Sequence, residues 1–245
     1  MIKFFRKIRQ KLLAENRFSK YLLYAVGEIV LVVIGILIAL QIDTWNQEKA
    51  NQKLEVKILK ELKRNLKKDL IEITSDIGVM DENQIRLGEV IKELKNNVNP
   101  SDEFYNNVAA LKRVPHFDPI KSAYEFLHSK GVDIISNDSL REIISNHYEL
   151  NYPYYNKYEN ERLQFKIHQT NDYMLNHFIW FDNPERGGRD EYIITGEEFL
   201  KVRDNGSLER IVAAGIWENS LIRDRAKRVE EQIEGLIKLI NKELE

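Results

Sequence analysis

The residues able to do chemistry are few and scattered. Five histidines, His116, His128, His147, His168 and His177, occur, and no two of them stand three or four residues apart. A helix-borne zinc site needs that spacing to bring two imidazoles onto one face. His147 and Glu149 are two apart and leave a helix on different sides, so they make a poor metal pair. The chain has no cysteine, which removes thiol nucleophiles, disulfides, iron–sulfur ligation and thiolate zinc sites together. The phosphate-cradling Gly-x-x-x-x-Gly-Lys, the dinucleotide Gly-x-Gly-x-x-Gly, His-Glu-x-x-His and Gly-x-Ser-x-Gly are all missing. Asp182 to Gly188 fails as a calcium loop, because Pro184 and Arg186 stand where oxygen ligands are needed. The sequence therefore assigns no catalytic, cofactor-binding or metal-ligating residue, and each histidine reads as an ordinary surface or core residue.

What remains is contact chemistry. Tyr148, Tyr152, Tyr154, Tyr155 and Tyr158 fall within eleven residues, and a tyrosine joins a rigid apolar ring to a polar tip. The cluster reads as a candidate interaction surface, or as a helix–helix corner at Pro153 with packed rings and wet hydroxyls. A ligand pocket there would draw on His147, Glu159 or Arg162. Trp180-Phe181-Asp182-Asn183-Pro184 through Arg189-Asp190-Glu191-Tyr192 forms a second candidate, either a functional loop or a cap over one end of a bundle. Trp217 reads as core or interface. Asn137-Asp138-Ser139 and Asn205-Gly206-Ser207 match the glycosylation sequon, yet both sit where helix capping and turn formation explain them.

The elements that must carry these residues begin with a segment of a different kind. Residues 1–20 hold Lys3, Arg6, Lys7, Arg9, Lys11, Arg17 and Lys20 against Glu15, a charge of +6, and the other 225 residues sum to -8. Tyr21 to Ile42 follows, 22 residues with no proline and one charge, Glu28. About 20 apolar residues are what a helix needs to cross roughly 30 Å of hydrocarbon. A cleaved signal peptide has an apolar region of only about 7–15 residues before a small-x-small site, and Ala39-Leu40-Gln41-Ile42-Asp43 lacks that pattern. An uncleaved signal anchor is expected. Tyr21, Tyr24 and Trp45 have the amphipathic rings that settle at membrane interfaces, and Tyr24 to Trp45 measures about 31 Å of helix. Six Lys/Arg lie in the fifteen residues before Tyr21 and three in the fifteen after Ile42, which predicts a cytoplasmic N-terminus. Apolar Phe4, Phe5, Ile8 and Leu12 sit at helical spacing in the basic tail, so it suits an anionic inner leaflet rather than a nucleic acid.

Within the span, Gly35 and Ala39 lie within about 20° of Glu28 on a helical projection. Gly35-x-x-x-Ala39 permits close helix approach. Glu28, Gly35 and Ala39 thus form a candidate transmembrane contact face, for a homodimer or a partner helix. The competing reading sets Glu28 shallow, within reach of headgroups and of Lys20 or Arg17.

Tyr24-Ala25-Val26-Gly27-Glu28-Ile29, Gly35-Ile36-Leu37-Ile38-Ala39-Leu40-Gln41-Ile42 and Asp43-Thr44-Trp45-Asn46 resemble the opening of a family of bacterial membrane proteins. That family is best known from the Bacteroidota and is defined only as a domain of unknown function. The basic KFFRKIRQKLL and Lys60-Glu61-Leu62-Lys63-Arg64-Asn65-Leu66 through Asp69-Leu70 are similar as well. Ala123-Tyr124-Glu125-Phe126-Leu127 and Ser139-Leu140-Arg141 match more loosely. The resemblance is specific over about the first 70 residues. It implies an inner-membrane protein and brings no activity, cofactor or catalytic residue.

The rest of the chain predicts an all-α fold. Leu59, Leu62, Leu66, Leu70, Ile73, Ile77, Met80, Leu87, Ile91, Leu94 and Val98 repeat at threes and fours, with Gln84 as the one polar seam position, and Asn99-Pro100 ends the run. This is coiled-coil-like, with a stutter at Leu62-Leu66-Leu70, and it continues the membrane helix. Gly78 and Gly88 make a bend plausible. Shorter helices are expected from Ser101 to Arg113, from Ile120 to Lys130 with Gly131 closing it, from a Ser139-x-x-Glu142 capping box to Leu150, and from Pro153 to Phe181. Val132 to Ile135 reads as extended, Asp182 to Ile194 as loop, Thr195-x-x-Glu198 as a cap, and Asp204-Asn205-Gly206-Ser207 as a turn. A last helix from Leu208 to Leu244 has a seam of Leu208, Val212, Gly215, Asn219, Ile222, Ala226, Val229, Ile233, Leu236 and Ile240. Laid antiparallel to the first long helix, it closes an elongated bundle.

The organisation expected is a cytoplasmic basic tail (1–20), a signal-anchor helix (21–42) and an extracytoplasmic, periplasmic helical domain (43–245). The function expected is a non-enzymatic envelope scaffold or protein-interaction module, with the bilayer and either a homodimer or a membrane protein as partners, and with no cofactor. A ligand sensor working through a membrane partner is the alternative, and a hydrolase the third.

Overall fold

The computed structural model describes residues 18–96, 99–183 and 189–245. The tail before Phe18, Val98 and the loop centre with Pro184, Arg186, Gly187 and Gly188 lie outside the described residues, as do the side chains of Tyr21, Tyr24 and Phe181. The chain divides into two compact units, Met1–Glu55 and Val56–Glu245.

Helix α1 runs Phe18–Lys95, 78 residues. In the first unit its apolar side chains are exposed on every side, from Leu22 and Leu23 through Leu31, Ile34 and Leu37 to Ile42. Thr44 donates its hydroxyl back to the Leu40 carbonyl at 2.9 Å, and the Lys49 ammonium lies 3.5 Å from the Trp45 ring centroid. Among the described residues α1 is the one helix long and apolar enough to cross a membrane.

In the second unit α1 becomes amphipathic. Leu59, Leu62, Leu66, Ile73, Ile77, Met80, Leu87 and Leu94 are buried as the seam predicts, together with Ile58 and Val90. Leu70 and Ile91 are only half-buried. The seam is also more polar than expected, since Asn65, Asp69 and Asn83 are buried in it, while Gln84 is half-buried at its edge.

The last long helix, α8 (Ser207–Glu243), buries every seam position predicted for its large residues. It runs antiparallel to α1: Asn219 Nδ2 donates to the Met80 carbonyl (2.7 Å), Arg223 reaches Asp81 (3.3 Å), and Thr74 donates to Glu230. Rising numbers on one helix therefore meet falling numbers on the other. Gly215 matters here because a Cβ would come 2.8 Å from Leu111 Cδ2. Its lack of a side chain lets Leu111 seat against the helix.

Between them come α2 (Asp102–Val108) with a 3₁₀ turn at Ala109–Leu111, and α3 (Ser122–Lys130). Ser101 Oγ accepts from Phe104 N–H, and Gly131 closes α3 at φ 100°, both as the sequence predicts. Val132–Ile134 is a 3₁₀ turn, not an extended piece.

The expected corner at Pro153 does not form. Asp138–Asn146 (α4), a π turn at His147–Asn151, Tyr152–Phe165 (α5), a second π turn at Lys166–Asn171 and Asp172–His177 (α6) follow one another as continuous helical structure. The π turn makes the proline tolerable. Tyr152 N–H already reaches back five residues to the His147 carbonyl, so the ladder is widened where Pro153 supplies no donor. The N-cap of α4 is Asn137, whose side chain accepts from Leu140 N–H at 3.1 Å, and the Ser139-x-x-Glu142 box is not used. Asx capping two residues earlier starts the helix first.

Helix also stops sooner than predicted, at His177. Ile179–Asn183 (β1) pairs antiparallel with Arg189–Ile193 (β2), so part of the expected helix and loop is a hairpin. Ile, Trp and Phe on one side and Tyr and Ile on the other prefer a pleated, half-buried strand. Thr195 caps α7 (Gly196–Asp204), and Gly206, at φ 70°, turns the chain into α8. Leu87, Val90, Phe104, Val108, Met174, Phe178, Tyr192, Phe199, Val202 and Val212 form one apolar core at this end.

Candidate functional site

The tyrosine cluster divides into two groups. On a helix, residues 148, 152 and 155 share one face, while 154 and 158 share another. Tyr148, Tyr152 and Tyr155 are buried. Tyr154 is 55% exposed, its ring meets that of Tyr158 edge-to-face at 4.9 Å, and the two hydroxyl oxygens lie 3.1 Å apart. The Arg225 guanidinium of α8 covers the Tyr158 ring at 3.7 Å. The interaction surface read from five tyrosines is therefore a surface of two. The other three belong to the core, because their face of the helix turns towards Asp69.

That core is aromatic and polar at once. Tyr124 of α3 stacks on Tyr148 with centroids 4.6 Å apart, and Phe117 packs against Tyr152 and Tyr155. Asp69, fully buried on α1, accepts from Ile120 N–H (3.0 Å) and from the Tyr152 hydroxyl (2.8 Å). Burial raises the Asp69 pKa, and these two donors oppose the rise. Burial likewise raises the Tyr148, Tyr152 and Tyr155 hydroxyls well above the ordinary tyrosine value. His147 lies in the same layer, 4.2 Å from the Tyr152 ring, and burial lowers it to about 4, so it is neutral at pH 7.

One helical turn further along stands a second polar cluster. Glu159 is 3% exposed; its Oε1 accepts from Phe117 N–H at 3.2 Å and lies 3.6 Å from Arg162 Nη2. Its Oε2 is 3.5 Å from Nδ1 of His116, an exposed residue at the mouth of the cluster. Arg162 donates to the Pro115 carbonyl. Asp76 faces this group from α1. Burial raises Glu159 to about 7 and Asp76 to about 6, against the lowering influence of Arg162 and His116. Asp76 Oδ2, Glu159 Oε2, Arg162 Nε and the Tyr155 hydroxyl are buried without a hydrogen-bond partner. Such groups are costly when dry.

The chemistry open to this arrangement is proton exchange. Two carboxyl groups titrating near neutrality, an arginine and a histidine are the parts of an acid–base site. The cavity beside Arg162 and Lys166 measures about 40 Å³, room for roughly one water. Among the described residues no group of three or more His, Asp or Glu could hold a metal ion. The sequence pointed at Glu159, Arg162 and His147 as polar helpers. It missed Asp69 and Asp76, whose signal was an acid recurring at seam spacing within an otherwise apolar stripe.

A larger concavity of about 980 Å³ lies elsewhere, between Glu82 and Arg86 of α1, Tyr105, Lys112 and Arg113, and Tyr192 of β2. Its cations are engaged internally. Arg86 donates twice to Glu82 and once to the Asn106 carbonyl, Arg113 donates to Glu82, and Lys112 donates to Asn171. Glu82 is held below its ordinary value by those arginines.

The remaining predicted positions fall outside both features. A Cβ placed on Gly35 would meet nothing within 4 Å, Ala39 is exposed and Glu28 half-buried. Trp217 is 60% exposed, so it is not core. His177 Nδ1 sits 2.6 Å from Glu198.

Residues 28–179 match the model of a protein family described as a family of unknown function, DUF6090. The chain belongs to this family. The match takes in the apolar part of α1, both polar clusters and the π turns, and it ends at Ile179, ahead of α7 and α8. No curated protein and no solved structure matches the chain.

Proposed function

We propose that the protein is a single-pass bacterial inner-membrane protein that presents Val56–Glu245 as a protein-interaction module and performs no catalytic step. The observation that carries the reading is the exposure of every described large apolar side chain from Leu22 to Ile42, on a helix that contains an 18-residue stretch of mean hydropathy 2.6. In water such a surface would forgo the burial of fourteen large apolar side chains, each worth about 1.5–3 kcal/mol, whereas in a bilayer it is solvated. Residues 1–20 lie on the cytoplasmic side because their cations outnumber those after Ile42, and 43–245 lie in the periplasm. Leu150, Tyr154 and Trp217 are exposed on the module, and such residues supply contact energy to partners. Within the span, Glu28, Gly35 and Ala39 are the contact face for a second copy or a membrane protein.

A ligand sensor is the second reading, favoured by the groove of about 980 Å³ and its arginines. In-cell crosslinking followed by identification of the captured proteins separates the two. Recovery of a partner or of a crosslinked dimer supports the module. A well-expressed protein that yields neither, yet gains thermal stability with a small anionic ligand, favours the sensor.

A further inference from the structure

The cavity beside Arg162 lies wholly within the second unit, between Asn83 of α1, the π turn that carries Lys166 and Thr170, and Gly215 and Glu218 of α8. At about 40 Å³ it admits a water or a monatomic ion and nothing of many atoms. Two cations in its wall, Arg162 and Lys166, stand four residues apart on the same helical stretch. Arg162 is 5% exposed. Its Nη2 donates to the Pro115 carbonyl and stands 3.6 Å from Glu159, while its Nε is buried without a partner. Lys166 is half-buried, and its ammonium has no hydrogen bond or ion pair among the described residues. Burial, with Arg162 alongside, lowers its pKa. Like charges one turn apart repel, and more strongly where protein replaces water. The acids nearby compensate incompletely. Glu218, the acid in the wall, forms no ion pair with either cation among the described residues. Glu159 and Asp76 are raised to about 7 and about 6. Arg113, also in the wall, is already bonded to Glu82 at 2.9 Å.

We propose that this cavity is a binding site for a single small monovalent anion, with chloride the abundant case. Arg162 and Lys166 supply the donors, and the ion supplies the negative charge that their adjacency lacks. A water bridging Arg162 Nε to the unpartnered Asn83 Oδ1 would satisfy two polar atoms and leave both cations uncompensated. Sulfate and phosphate exceed the volume. Gly215 keeps that volume unfilled, since a Cβ there would stand 2.8 Å from Leu111 and 3.7 Å from Leu87, both in the wall. The site shares only Arg113 with the larger groove. It needs neither the membrane span nor the interaction module.

The test follows the chlorine NMR line width with the full chain in non-ionic detergent at pH 6, chloride being exchanged for gluconate at constant ionic strength. Saturable broadening that bromide displaces is expected. Lys166→Gln should weaken binding about tenfold or more, as loss of a charged donor does, and Lys166→Arg should restore it. Arg86→Gln, in the larger groove, and Lys157→Gln, on the open surface, should leave it unchanged. Absence of saturable broadening overturns the proposal and assigns the cavity to water. Broadening that survives Lys166→Gln overturns it too. A loss in Arg86→Gln equal to that in Lys166→Gln overturns it and moves the ion to the groove, and an equal loss in Lys157→Gln reduces it to loose pairing with surface cations. Bromide soaked into crystals of the full chain gives a readout that needs no variant. Its anomalous peak is expected within hydrogen-bond distance of Arg162 Nε, and peaks confined to the surface contradict the site.

Discussion

Two stretches of one helix obey opposite rules. From Leu22 to Ile42 apolar residues occupy every side of α1 and none of the large ones is buried; from Ile58 to Leu94 most occupy one side and are buried, with Ile71 and Ile85 left exposed. The first pattern has no inward face, so the protein supplies no core for it. The second has a stripe matched by the α8 seam. Apolarity without direction suits a helix solvated by lipid, as proposed for this stretch, and apolarity with direction a helix solvated by water on its other side.

The contrast breaks most sharply under charge. Leu66 has no exposed surface, so Leu66→Asp should cost several kcal/mol and unfold the second unit, read as loss of the cooperative melt. Leu31→Lys with Ile34→Lys should leave that melt unchanged but abolish carbonate-resistant membrane retention, at about 3 kcal/mol per central lysine. If the double lysine variant melts early instead, the apolar run is a packing element and the contrast is lost.

The pH dependence sharpens the water-facing half. Glu159 is raised to about 7 and Asp76 to about 6. The folded chain then holds protons that the unfolded chain has released, so this stability is full below the ordinary carboxyl values and is lost as pH rises through 6 to 7. His147, lowered to about 4, acts the other way: its contribution is present above the ordinary histidine value and is lost as pH falls towards 4. The melting temperature should therefore rise from pH 8 to pH 5, with a shoulder near 6 where the histidine opposes the acids. Glu159→Gln should flatten the rise, Glu159 being worth on the order of 2 kcal/mol. His147→Asn should steepen it. A wild-type profile that falls from pH 7 to pH 5 contradicts the cluster as described.

Smaller effects separate the tyrosines. Tyr152→Phe strands the buried Asp69 carboxylate without one of its two donors and should cost about 1–3 kcal/mol by chemical denaturation. Tyr154→Phe removes only a surface contact to Tyr158 and should change stability by less than about 0.5 kcal/mol. The smallest change is a gain. Nothing lies within 4 Å of a Cβ placed on Gly78, so Gly78→Ala should stabilise α1 by up to about 1 kcal/mol.

Periodicity and capping made most of this legible. The α8 seam, the Ser101 and Thr195 caps and the two positive-φ glycines follow from residue type and spacing, because burial and backbone strain are local demands. The π turns did not show, since their cause is tertiary: a widened turn at His147–Asn151 lets Pro153 stay within helix while Tyr152 reaches Asp69. The β1–β2 hairpin was hidden because a short aromatic run next to a long helical pattern reads equally well as either. Asp69 and Asp76 were passed over because an acid in a seam looks like an interruption. Only the opposing Tyr152, His116 and Arg162, contributed by α5 and the loop after α2, reveal what it does.

The chain's lack of cysteine makes single-cysteine labelling the most direct test of the membrane account. Ser19→Cys, Ile34→Cys and Ser75→Cys, each in intact spheroplasts, are treated with a membrane-impermeant maleimide. The account predicts that Ser75→Cys labels at once, that Ser19→Cys labels only after the membrane is opened, and that Ile34→Cys stays unlabelled until the protein is denatured in detergent. Labelling of Ile34→Cys at the rate of Ser75→Cys, or of Ser19→Cys in sealed spheroplasts, would contradict the span or its orientation respectively.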